Sequence, residues 1–111
     1  MKLFAALKKI REFEKAQLPF LKSIVDFDIL IEIGHAEEQE RPLTLKKVLL
    51  LNLSSRTTVR RRLLRLIDQG IVRRREDAND RRSSLLTISS SHLKLLGKYG
   101  SVLTSICASI K

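Results

Sequence analysis

Apolar residues recur at helical spacing over most of this chain and give way to short strand-like runs in one stretch. Leu3, Leu7, Ile10 and Phe13 stand three or four apart with lysines and glutamates between them, which predicts an amphipathic helix over 2–17. Leu18-Pro19 ends it, because the residue before proline disfavours helical backbone. Ser23-Ile24-Val25-Asp26 resembles a capping box and starts a second helix, whose wide apolar face carries Ile24, Phe27, Leu30, Ile31 and Ile33, with Gly34 near its end. Residues 35–42 are acidic and polar and stop at Pro42, so they read as the helix end and a loop. Thr44 caps a short third helix over 45–51, and Asn52-Leu53-Ser54 forms a turn. Ser55 caps a fourth helix running to about Gln69. Gly70 ends that helix, as glycine does in the left-handed position after a helix. Residues 71–75 and 85–88 read as strands around a tip rich in Asp, Asn and Ser. A last helix covers roughly 92–109.

This order predicts a mainly α fold with a small β-hairpin. The two central helices lie three or four residues apart, the spacing of a helix-turn-helix, and the hairpin supplies a wing. The 111 residues read as one winged helix-turn-helix domain, with a core at 23–90, an added N-terminal helix at 1–22 and one C-terminal helix at 91–111.

Charge sharpens the picture. The formal net charge is +10, and residues 1–40 hold six Lys/Arg against eight Asp/Glu while residues 41–111 hold sixteen against four. Residues 54–84 alone carry ten arginines against Asp68, Glu76, Asp77 and Asp80. So segregated a charge implies a directed electrostatic surface, and arginine suits phosphate oxygens and guanine edges. The expected partner is double-stranded DNA. No tryptophan and one tyrosine argue against base stacking on aromatic platforms.

On a wheel of the fourth helix, Val59, Leu63, Leu66 and Ile67 face the core, and Thr57, Arg61, Arg65 and Asp68 fall opposite. Arg60, Arg62 and Thr58 lie on the flanks, and Leu64 points outward. Recognition helices read bases mainly with their N-terminal residues. The candidate DNA contacts are therefore Ser55, Arg56, Thr57, Thr58, Arg60, Arg61 and Arg65. In the wing they are Arg73, Arg74, Arg75, Arg81 and Arg82. The three consecutive arginines alternate faces on a strand and suit phosphate, whereas Arg81 and Arg82 at the tip can reach a minor groove. Asp80 is expected either to cap the loop or to orient a wing arginine.

Two segments carry a family resemblance. DANDRRSSLLTIS (77–89) resembles the wing signature of the multiple-antibiotic-resistance regulator (MarR) family, Asp, any residue, Arg, then a strand ending in Leu-Thr. Asp80 and Arg82 match its Asp and Arg, Leu85 its strand leucine, and Ile88-Ser89 its ending conservatively. LTLKKVLLLNLSSRTTVRRRLLRLIDQGIVRR (43–74) resembles the family's helix-turn-helix. The resemblance implies a bacterial, cytoplasmic transcription regulator binding a palindromic operator as a homodimer, with Arg82 wings in flanking minor grooves. It specifies no effector ligand. The chain departs from the family in having one glycine-containing helix after the wing where two long ones are usual. Leu3, Leu7 and Ile10, with Leu93, Leu96, Leu103 and Ile106, are the expected dimer face.

Other classes fit less well. His35 and His92 are isolated, Cys107 lacks a partner in ligand spacing, and Glu37, Glu38 and Glu40 read as a loop run. No glycine-rich phosphate loop is present. An enzyme, a metal site and a cofactor are therefore not expected, and no run approaches the length needed to span a bilayer. The competing readings keep the same module but give it non-specific DNA binding, replication-origin binding or protein–protein interaction.

Overall fold

Several helix starts in this chain are set by side-chain hydroxyls that accept otherwise orphaned backbone N–H groups. The computed structural model describes all 111 residues except the side chain of Arg81. Its elements are α1 (Leu3–Gln17), α2 (Ile24–Glu38), α3 (Leu45–Leu50), α4 (Arg56–Asp68), β1 (Val72–Asp77), β2 (Asp80–Ile88) and α5 (Ser90–Ala108). Ser23 accepts from the N–H of Asp26 at 3.3 Å, Thr44 from Lys47 at 3.2 Å and Ser55 from Thr58 at 3.2 Å. Asn52 turns α3 towards α4 with φ 54°, a left-handed conformation that asparagine tolerates. After α4, Gly70 takes φ 75°. Its N–H bonds to Ile67 O and that of Ile71 to Leu66 O, each at 3.0 Å. This closes the helix as a Schellman motif, with buried Leu66 and Ile71 supplying its apolar contact.

The chain forms two compact units, residues 22–89 and residues 1–21 with 90–111. In the first, α2 packs on α4 and β2, and α3 packs on α4. Its core is built from Ile29, Leu30, Ile33, Val48, Val59, Leu63, Leu66, Ile71, Val72, Leu86 and Ile88. Each such side chain stabilises the fold by about 1.5–3 kcal/mol relative to exposure. Val59, Leu63 and Leu66 are buried on the expected face of α4. Gly34 lets α2 approach the hairpin, since a Cβ there would lie 3.3 Å from Ile88 Cδ1.

The antiparallel hairpin is longer than its apolar pattern suggested. Arg74 pairs with Leu86, Arg75 with Leu85 and Glu76 with Ser84, and then Asp77 with Asp80. The connection is only Ala78-Asn79, and residues 81–83 bulge out of register. The outer half is polar on both faces, so it lacks the alternation by which strands are recognised in sequence. Near its base the hairpin is tied down. Leu86 N–H donates to Leu43 O at 2.8 Å beside a bridge between Thr44 and Leu85. Ile88 N–H donates to Glu37 Oε1 at 2.7 Å. Glu37 and Glu38 thus belong to α2, not to a loop.

In the second unit α1 pairs with α5. Phe13 stacks on Tyr99 at 5.7 Å, and the Tyr99 hydroxyl donates to Glu14. Burial, then that bond to a carboxylate, pushes the phenol up to about 12. Ala6, Leu18 and Ile106 are buried, while Leu3, Phe4, Leu7 and Leu93 remain exposed. Ile106 is therefore part of the protomer's own packing and leaves the expected dimer face.

Candidate nucleic-acid interface

The first turn of α4 offers hydroxyls and guanidiniums to solvent. Ser55 caps the helix and donates to Thr58 Oγ1 at 2.8 Å, so these two hydroxyls hold each other in place. Arg56, Thr57, Arg60 and Arg61 are exposed. Thr57 and Arg61 lie one turn apart on the face opposite Val59 and Leu63.

Arg65 departs from the expected outward placement. It turns inward, where its Nη2 donates to Asp26 Oδ2 at 2.9 Å and its Nη1 to Gln69 at 2.7 Å. Arg62 joins it, bonding Asp26 Oδ1 through Nε at 2.8 Å and Oδ2 through Nη2 at 2.5 Å. The Lys22 N–H completes the shell at 2.8 Å. Asp26 is fully buried. Burial would raise its carboxyl, but bonds from Arg62, the Lys22 N–H and Arg65 outweigh that and hold it below its ordinary value. The bond to Asp26 raises Arg62 in turn, against the opposing effect of burial. A helical wheel shows only the axis of one helix, whereas this carboxylate comes from α2, 36 and 39 residues away. Asp26 had read as a local capping acid, and nothing in the sequence paired it with these arginines.

The strand register sorts the wing. Residues opposite one another share a face, so Arg74 lies on the side of buried Leu86, and Arg73 and Arg75 lie on the other with Thr87 and Leu85. Arg74, Arg60, Arg82 and Lys46 line an open cleft of about 450 Å³ between α3, α4 and the hairpin, with Leu64 and Leu86. Leu64, outward on the wheel, thus borders the wing. Lys46 was missed in the sequence, and its only signal was basic character beside a helix cap. Asp80 accepts from the Arg82 N–H at 3.0 Å and the Ser83 hydroxyl at 3.2 Å. It orders the tip through backbone and hydroxyl. The expectation for the Arg81 side chain lies outside the described residues.

Among the described residues no group of three or more His, Cys, Asp and Glu is placed to hold a metal, and no helix is long and apolar enough to cross a membrane.

A short helix, a turn, a capped basic helix and an arginine-bearing hairpin define a winged helix-turn-helix. The model of the MarR family matches residues 21–83, and the chain belongs to that family, whose members include transcriptional regulators. The fold is similar to that of a transcriptional regulator from Thermotoga maritima, at 25% identity and TM-score 0.67 over 87% of this chain and 66% of that one. It is also similar to MepR of S. aureus in a DNA complex, at 18% identity and TM-score 0.68 over 89% and 79% of the two chains. A mutant MarR from E. coli complexed with operator DNA gives 17% identity and TM-score 0.58 over 97% and 79%. This chain thus spans just under two thirds of the Thermotoga protein. A comparison with curated proteins gives no match.

Proposed function

We propose that this chain is a sequence-specific, double-stranded-DNA-binding transcriptional regulator that acts as a homodimer in the bacterial cytoplasm. The observation that carries this reading is one concave basic surface, built from the first turns of α4 and the Arg74 face of the wing. Thr57, Arg60 and Arg61 enter the major groove, with Arg56 and the capped helix start on the adjacent phosphate. Arg74 and Lys46 neutralise backbone charge, and Arg82 reaches the flanking minor groove. The DNA in the complexes of MepR and MarR supports this reading through the shared fold. The exposed apolar side chains Leu3, Phe4, Leu7 and Leu93 form the dimer face. The chain is assigned no catalytic step.

Selection from a random duplex library tests the proposal. The expected product is a palindrome with half-sites about 10 base pairs apart. Arg61→Ala should flatten one position of each half-site, a loss of about 1–3 kcal/mol on the preferred duplex. Absence of enrichment by the unaltered protein, or a sedimentation coefficient of a monomer with the selected duplex, would refute it.

A further inference from the structure

Five arginines lie on α4, yet they are not equivalent. Arg56, Arg60 and Arg61 are exposed, whereas the side chains of Arg62 and Arg65 are 14% and 21% exposed and end on one buried carboxylate. Arg62 and Arg65 are one turn apart, so both project from the same stripe of the helix. A carboxylate that grips both, one of them through two parallel bonds, fixes the rotation of α4 about its axis as well as its distance from α2. Arg61 immediately precedes Arg62, so its direction follows from that rotation.

Resting on the function proposed above, we infer that Asp26 is a positioning residue for DNA recognition. Through Arg62 and Arg65 it aims Thr57 and Arg61 at base edges, and it withholds two guanidiniums from phosphates. Apolar packing alone does not do this, because Val59, Leu63 and Leu66 resist tilt and separation but leave small rotations cheap. The carboxylate therefore favours discrimination over raw affinity. Its loss lets α4 turn and releases two cations to the DNA backbone.

The test is Asp26→Asn, measured by anisotropy on the selected duplex and on a random duplex across a salt series. The melting curve is recorded alongside. The expected result is a specificity ratio at least about tenfold lower, with a steeper salt slope on the random duplex. Two released arginines add up to about 1.8 per protomer, at roughly 0.9 per phosphate neutralised. A structural contribution alone would weaken both duplexes together and add nothing to the slope, and that outcome overturns the inference. So does an unchanged ratio in a folded variant. Arg65→Gln provides a second arm that does not depend on Asp26→Asn folding. It should lower the ratio while leaving the random-duplex slope unchanged, and a slope reduced by about 0.9 would show Arg65 already on phosphate. If the unaltered protein prefers no duplex, both this inference and the regulator reading fall. A preference that survives Asp26→Asn removes only the inference.

Discussion

Replacing Arg74 with glutamine and, separately, Arg73 with glutamine removes the same charge from adjacent residues of one strand. Register makes the two substitutions unequal. Arg74 shares its face with Leu86 and lines the cleft with Arg60 and Arg82, while Arg73 shares the opposite face with Thr87. Each phosphate neutralised contributes about 0.9 to the slope of log K against log salt. Arg74→Gln should therefore lower that slope by about 0.9 per protomer and weaken cognate and random duplexes alike. Between about 50 and 200 mM salt, that contact accounts for a roughly 3.5-fold change in affinity, the 0.9 power of the concentration ratio. If the Arg74 face meets the duplex, Arg73→Gln removes a charge from the opposite face of the wing, and salt screens a charge more than about 8 Å from its target. Its slope should stay near that of the unaltered protein. Anisotropy of a labelled duplex at four or five salt concentrations measures both. Equal loss for the two variants would mean that only total charge matters and that the face assignment is wrong.

Tyr99 is the only tyrosine, and the chain lacks tryptophan, so phenolate absorbance reports it alone. In the folded protein its midpoint should lie at about 12, against 10.0 for an ordinary tyrosine. The folded state holds the proton more tightly, so the pairing of α1 with α5 keeps its full contribution below pH 10 and loses it as pH rises from 10 towards 12. A folded protein titrating at the ordinary value, or one unmoved by Glu14→Gln, would contradict the Glu14 bond. Val59→Asp places an unpaired carboxylate at a position 1% exposed. It should cost on the order of 3–5 kcal/mol, most of a small unit's stability, and a normal melting curve would show that α4 is rotated from the orientation described.

Local chemistry made most of the helix-turn-helix legible. Ser23, Thr44, Ser55 and Gly70 act within a few residues, so their roles are written in short stretches of sequence. The face of α4 containing Val59, Leu63 and Leu66 followed from helical period alone. The resemblance of the wing segment led to the MarR family that the family model supports over residues 21–83. Two features were hidden for different reasons. The outer wing carries charge and hydroxyls on both faces, leaving no apolar alternation to mark a strand. The attachment of Arg62 and Arg65 to Asp26 depends on how α2 crosses α4, which no window around either residue contains. The helical wheel, which sees one helix at a time, consequently places Arg65 on the DNA side.

The tie between the hairpin and the residues preceding α3 has a further consequence. A two-stranded hairpin standing alone is only marginally stable in water. Here Leu86 is bonded to Leu43, Leu85 bridges Thr44, and Ile88 is held by Glu37. The wing base is thereby set against α2 and the residues preceding α3, and both helices pack on α4, so the opening between wing and α4 is fixed as in a calliper. On the function proposed above, a duplex whose groove spacing differs from that opening must bend or twist to be gripped. Bases lying between the contacts then enter the affinity through the stiffness of their steps, although no side chain touches them.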